Sequence, residues 1–522
     1  MQFFLGKNAR PRSTSVLKRT TPLLRMAAAP AKLQIITKKD YEALVPRLRE
    51  RLIQMQVELK SAPFPVLLVI AGLDGAGKGE VVNTLNAWLD PRGVETFAFG
   101  PRSDEERERP PFWRYWRALP PRGRMGIYYS SWHTEAVHQE IEGKTNFDRF
   151  DLALRHCASF EKNLADDHAL IVKIWLHISK RDQRKRFHEL EENPRTAWRV
   201  TDTNWESHAL YDRMTNLADR MIRSTHRPGA PWTILDGSEE RARDVAVAEI
   251  LLKRFREHTR NVQRLLRRPT KQPKKIAPLR PSAARLLAKL PVDLRLSAAA
   301  YDKRRDKLLG RLNRLFFDAR AVHRSVVLVF EGWDAAGKGG AIRRLTSAID
   351  APFYRVIPIA APTDEEKLHH YLWRFWRHLP RAGMVTVYDR SWYGRVLVER
   401  IEGFAREEEW SRAYSEINDF EAQLAENGII LVKVWMHISK DEQLRRFRDR
   451  EQIAYKRHKI NDEDWRNRRR WHAYEVSVGD MLALTHTETA PWNLVPANDK
   501  RFARLEILRI ACEQIEKALA KD

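Results

Sequence analysis

The chain has 522 residues, more than one hydrophobic core usually organises, so length alone predicts two domains. Its 94 Lys and Arg against 69 Asp and Glu leave a formal charge of +25, which implies polyanionic company without choosing among nucleotides, phosphate chains, nucleic acid and anionic membrane. Two cysteines exclude a disulfide framework and a cysteine-built zinc site and fit a reducing, cytoplasmic setting, and no run of about 18 apolar residues exists to span a membrane.

Residues 1–35 form a basic N-terminal tail with Ser and Thr and no acid before Asp40. It has the look of a transit peptide, although Met26, followed by Ala-Ala-Ala-Pro-Ala, offers an alternative start. Residues 36–262 then begin with an amphipathic helix, in which Leu44, Leu48, Leu52 and Met55 recur at helical spacing. A continuous apolar run at 65–70 reads as a parallel strand covered on both faces, and it runs into a glycine-rich turn and another helical stretch. Residues 263–294 are rich in Pro, Lys and Arg and lack periodicity, which predicts a basic linker with the domain boundary near residue 275. Residues 295–522 repeat the first succession: a helix carrying Leu309, Leu312, Leu315 and Phe316, a strand at 326–330, and further strands at 384–388 and 429–436. Strands alternating with helix-length segments predict an α/β fold with a parallel sheet.

The two halves are copies at an offset of 260 residues. Leu170-Ile-Val-Lys-Ile-Trp-Leu-His-Ile-Ser-Lys180 lies over Ile430-Leu-Val-Lys-Val-Trp-Met-His-Ile-Ser-Lys440, and Trp113-Arg-Tyr-Trp116 over Trp373-Arg-Phe-Trp376. A register held over some 200 residues marks tandem duplication of a whole domain. Aromatics interleaved with Arg374 and Arg377 are a nucleic-acid stacking pattern, but recurrence of both tryptophans in each copy favours packing, and nucleic acid is not the expected partner.

Gly72-Leu-Asp-Gly-Ala-Gly-Lys-Gly79 and Gly332-Trp-Asp-Ala-Ala-Gly-Lys-Gly339 each follow a predicted buried strand and match the phosphate-binding P-loop pattern. Gly332, Gly337, Gly339 and Gly340 let backbone N–H groups converge on phosphate oxygens, and Lys338 neutralises the transferring group. The Ser or Thr that normally follows the lysine and binds Mg²⁺ is replaced by Gly79 and Gly339. Asp74 and Asp334, inside the loops, have three readings: holding a cation, orienting an attacking phosphate, or capping the next helix.

The copies part at the next motif. Val387-Tyr-Asp-Arg-Ser-Trp-Tyr-Gly-Arg395 places Asp389 at the carboxyl end of a strand, where a metal can be bound, and Arg390 beside it to engage phosphate. The first copy has Tyr129, Ser130 and Glu135 in place of Asp389, Arg390 and Arg395, and Glu240 and Asp244 in place of Lys500 and Arg504. A site that lost these charges together loses most of its transition-state stabilisation, so the first copy is expected to be inactive. A third basic segment at 445–470, which includes Lys459, has the length of a helical lid, or else is a basic face in water.

With Gly332 to Gly340 and Tyr388-Asp-Arg-Ser-Trp-Tyr393 in hand, the chain resembles the second polyphosphate kinase family over about nine tenths of its length. Within that family, duplicated members with a degenerate first half resemble the polyphosphate:AMP phosphotransferase subgroup, which moves a terminal phosphate from inorganic polyphosphate to AMP. The resemblance implies a thymidylate-kinase-like fold, a basic donor channel over the P-loop, and Mg²⁺, with Mn²⁺ as a substitute, between donor and acceptor. It implies that Asp334 and Asp389 organise metal and acceptor phosphate, that Lys338 and Arg390 stabilise the transferring phosphoryl, and that residues near Lys459 belong to the lid. AMP against ADP as acceptor and homo-oligomerisation stay open. Transfer to nucleoside diphosphates, an ATP-dependent kinase and a non-enzymatic polyanion-binding protein are the competing readings.

Overall fold

The computed structural model of the chain describes residues 33–267, 279, 287–453, 460 and 462–520. The predicted tail up to residue 32 and most of the predicted linker, including the boundary near residue 275, lie outside them.

Each half opens with a capped amphipathic helix. Thr37 caps Lys38–Leu59 by accepting from the Asp40 amide, and Leu48, Leu52 and Met55 face the core. Ser297 likewise caps Ala298–Ala321, which buries Leu312, Leu315 and Phe316. Two five-stranded sheets follow. In the first half they comprise β1 (Val66–Gly72), β2 (Val94–Ala98), β3 (Met125–Ser130), β4 (Leu170–His177) and β5 (Trp232–Asp236); in the second, β6 (Val326–Gly332), β7 (Tyr354–Pro358), β8 (Val385–Asp389), β9 (Ile430–His437) and β10 (Trp492–Pro496). The order is β2-β3-β1-β4-β5, repeated as β7-β8-β6-β9-β10, and every pairing is parallel. The central strands are the predicted apolar runs, covered by helices on both faces, with Lys173, Lys433 and Glu331 among the few charged side chains buried in them. Parallel order brings the carboxyl ends of β6, β8 and β9 to one edge, so the loops that follow them share a cleft.

The halves pack against each other about a pseudo-two-fold axis. Trp116 stacks on Trp376, ring centroids 5.8 Å apart and 12° from parallel, and Ser159 Oγ donates to Asp419 Oδ2 at 2.6 Å. Each of these residues meets its own counterpart, which happens only on a two-fold axis, so the duplicated chain carries an isologous interface within itself. Around it, Arg381 pairs with Glu108, His156 approaches Glu426 at 3.0 Å, and half-buried Asp167 accepts from Arg122 at 2.9 Å and Arg412 at 3.0 Å. The Trp-Arg-aromatic-Trp repeat therefore packs as expected, with its second tryptophan spent on the seam between copies. Trp376→Ala is expected to cost about 3–5 kcal/mol, read as a lower urea midpoint, because it removes a buried ring from both the core and the seam.

Candidate active site

The end of β6 can take only glycine. Gly332 has φ +151°, and a Cβ there would lie 2.5 Å from the Met436 carbonyl oxygen on β9. The loop then turns so that Gly337 caps the helix Lys338–Thr346. Lys338 Nζ donates to the carbonyls of Gly332 at 2.8 Å and Trp333 at 3.3 Å, and burial lowers its pKa from the ordinary lysine value. The Asp334 carboxylate accepts from Arg390 Nη2 at 3.1 Å and from Asn467 Nδ2 at 2.9 Å, while its carbonyl accepts from Gln443 Nε2 at 3.1 Å. One aspartate thus ties the P-loop to the turn after β8, to the helix Asp462–Arg469 and to the helix Lys440–Gln452.

Above the loop opens a cleft of about 880 Å³. Eight Lys and Arg side chains line it against five carboxylates. Of the residues expected from sequence, Asp334, Gly337, Lys338, Gly339, Gly340, Asp389, Arg390, Lys500 and Arg504 all line it. Gly332 lies beneath, in the wall of an adjoining apolar hollow of about 70 Å³ that includes Trp333, Leu397, Trp435 and Tyr474. Arg395 departs from expectation: it is not among the residues lining the cleft. Residues Trp392–Val396 wind into a tight 3₁₀ turn that carries its guanidinium against Glu399 at 3.2 Å and over the Tyr371 ring at 4.5 Å. Lys459 lies outside the described residues.

The basic segment expected as a lid divides. Arg446 is buried and donates to the carbonyls of Ala335, Ala336, Ala497 and Asn498 at 2.7–3.0 Å, so it braces the P-loop from below. Asn467, by contrast, reaches the loop from above through Asp334. Sequence reasoning missed Arg343 and Arg344, which line the cleft one turn beyond Lys338; their counterparts Asn83 and Thr84 were there to be compared. It also missed the stacked pair Trp333 and Trp471, 3.7 Å apart and replaced by Leu73 and Tyr211 in the first half. Trp333 Nε1 donates to His437 Nδ1 at 3.1 Å, and burial pushes the His437 pKa down to about 4, keeping that ring neutral and able to accept.

A family model described as polyphosphate kinase 2 (PPK2) matches residues 35–263 and again 295–522. The chain belongs to the polyphosphate kinase 2 family. It is 47% identical over 490 residues to the polyphosphate:AMP phosphotransferase of Pseudomonas aeruginosa, covering 93% of this chain and 98% of that one. To the polyphosphate:AMP phosphotransferase of Pseudomonas syringae pv. tomato it is 43% identical over 485 residues, 92% and 96% of the two chains. A crystal structure of a polyphosphate kinase 2 protein from Pseudomonas aeruginosa superposes with a TM-score of 0.83 at 45% identity, covering 93% of this chain and 98% of that one. Architecture and tandem arrangement are therefore those of a two-domain PPK2 protein.

Within this PPK2 chain the first P-loop keeps its shape but is filled by its own side chains. Glu80, standing where the second copy has Gly340, accepts from Arg186 at 2.5 Å and from buried Arg243 at 3.1 Å. Burial opposes the charge on Glu80, but the two guanidinium groups outweigh it and hold the carboxyl below the usual glutamate value. Arg243 is wedged so close that a Cβ on Gly77 would lie 1.8 Å from its Nη1. Asp74 turns to Lys78 at 3.1 Å, and that charge lowers its pKa. The cations that would meet phosphate are thus neutralised within the loop. Of the eight in the second cleft only Lys338 and Arg446 have cationic counterparts here, Lys78 and Arg186.

Glu80→Gln is expected to weaken the fold by about 1–3 kcal/mol, because it removes one of the two carboxylates, Glu80 and Asp244, that pair with buried Arg243, while turnover stays unchanged; urea unfolding beside an activity assay checks both. Since the folded carboxyl sits below its ordinary pKa, its contribution is present above the unfolded value and lost as pH falls through the folded one. The stability gap between Glu80→Gln and the parent should therefore close in acid.

Proposed function

We propose that the chain transfers the terminal phosphate of inorganic polyphosphate to AMP, giving ADP, at the cleft of the second half. The observation that carries this is the confinement of the intact P-loop, Asp389, Arg390 and the eight-cation cleft to that half. The excess of cations over carboxylates in the cleft suits a polyanionic donor, and the names of the relatives support polyphosphate as donor and AMP as acceptor. The aromatic hollow beside Asp334 offers an apolar seat for the acceptor's base.

In the reaction an AMP phosphate oxygen bonds to the terminal phosphorus of the donor as the bridging P–O bond breaks, and the shortened chain leaves. Lys338 and Arg390 face the charge that spreads over the transferring oxygens. Asp334 holds Arg390 in place, and Arg344, Lys500 and Arg504 hold the rest of the donor. Asp334 and Asp389 present hard oxygen donors into one cleft, the kind Mg²⁺ or Mn²⁺ takes; among the described residues no group of three or more His, Cys, Asp or Glu gathers, so phosphate oxygens and water would complete the shell. Such an ion, when bound, neutralises charge between donor and acceptor phosphates. The reading places the enzyme in the cytoplasm, in keeping with two cysteines that are both unpaired and buried, and no helix among the described residues is long and apolar enough to cross a membrane.

The full chain with polyphosphate, AMP and Mg²⁺, and no ATP, is expected to yield ADP at a rate that chelation by EDTA abolishes. A strict requirement for ATP as donor would overturn the reading in favour of a nucleotide-dependent kinase.

A further inference from the structure

The turn after β8 holds a conformation that its counterpart does not. Arg390 has φ +65°, in the left-handed region that a long side chain seldom adopts unless its surroundings impose it. In the first half β3 runs on as extended strand to Ser130, the matching position. Two bonds hold the second half's turn. The Arg390 amide donates to the Phe330 carbonyl at 3.0 Å, and Ser391 Oγ donates to Glu331 Oε1 at 2.8 Å. Glu331 and Ser391 are both buried. Glu331 is the last residue of β6 before Gly332, so one side chain links the start of the P-loop to the Asp389-Arg390 turn. The first half retains the serine but not the carboxyl: Ala71 stands in place of Glu331, and Ser131 Oγ turns to His133 Nδ1 at 3.1 Å. The chain is thus its own control. The carboxyl, the left-handed turn and the Asp-Arg pair occur together in one copy and are lost together in the other.

We infer that Glu331 is a positioning residue for phosphoryl transfer, fixing Ser391 so that the turn stays left-handed and Arg390 stays aimed across the P-loop at Asp334 and the transferring group. It acts as a hydrogen-bond acceptor, so an amide oxygen can replace it and a methyl group cannot. The inference rests on the second half being the working site.

The test measures kcat and KM for AMP and polyphosphate in Glu331→Ala, Glu331→Gln, Ser391→Ala, the double variant Glu331→Ala/Ser391→Ala, and Asp389→Asn. Glu331→Ala and Ser391→Ala should each lower kcat about 30-fold or more with both KM values within about threefold, the double variant should be no worse than either single, and Glu331→Gln should stay within about threefold of the parent. Glu331→Gln as impaired as Glu331→Ala, full kcat in Ser391→Ala, or losses that multiply would each overturn the inference. Should Glu331→Ala fail to fold, Glu331→Gln and Ser391→Ala decide alone. An inactive Asp389→Asn beside fully active Ser391→Ala refutes only this inference, whereas an active Asp389→Asn refutes the reading beneath it.

Discussion

Asp389→Asn is expected to lower kcat for AMP phosphorylation by roughly 10³-fold, about 4 kcal/mol of transition-state stabilisation, while Asp74→Asn stays within about threefold of the parent. Both substitutions turn a carboxylate into an amide, but at different places: Asp389 has no acidic counterpart in the first half, where Tyr129 stands, and Asp74 is the first-half counterpart of Asp334. Asp389 ends β8 and opens into the cleft beside Arg390 and Lys338. Asp74 is spoken for by Lys78 in a loop already neutralised by Glu80, Arg186 and Arg243. Steady-state kinetics on both variants, with circular dichroism to confirm folding, makes the comparison. Equal losses would mean that both halves do chemistry.

Arg446→Ala is the second large effect. Its guanidinium donates to four main-chain carbonyls that connect the P-loop to the segment after β10, and pairs with Glu442 at 2.5 Å. Removing it takes this donor from four carbonyls, while Glu442 keeps Arg445 at 2.7 Å, an expected cost of about 3–5 kcal/mol. Because the loop it braces holds Lys338, kcat should fall along with the melting temperature. Arg446→Lys should recover little, since one ammonium cannot reach four carbonyls that a planar fork spans. Arg186→Ala, the same substitution in the first half, should cost much less: Arg186 is more exposed and its named partner is the Glu80 carboxylate. Differential scanning calorimetry of the three variants checks the ranking, and an unchanged melting temperature in Arg446→Ala would contradict the bracing role.

What was legible in the sequence follows from what periodicity and self-comparison can carry. The central strands were readable because burial on both faces makes them continuous apolar runs, and the P-loops because a phosphate cradle needs glycines at fixed spacing. Asp389 and Arg390 were readable because the first copy lacks them. Arg395 was misplaced for a local reason: a 3₁₀ turn of five residues rotates it away from the cleft, and nothing in the motif marks that winding. Glu331 was hidden inside a strand pattern, where a single acid reads as an interruption. Trp376 was correctly read as packing, but periodicity names a buried face and not its partner, so the seam between copies with Trp116 became visible only in three dimensions. Asn467 carries no charge and sits in a run of arginines, which drew attention to the cations around it rather than to the residue that reaches Asp334.

The claim on which the rest depends is that one of two similar P-loops is open to substrate and the other is filled from within. Isothermal titration of the full chain with AMP in the presence of Mg²⁺ counts the sites directly. The account predicts one AMP per chain, lost in Asp334→Ala and retained in Asp74→Ala. Two AMP per chain, or a single site that survives Asp334→Ala and disappears in Asp74→Ala, would contradict it.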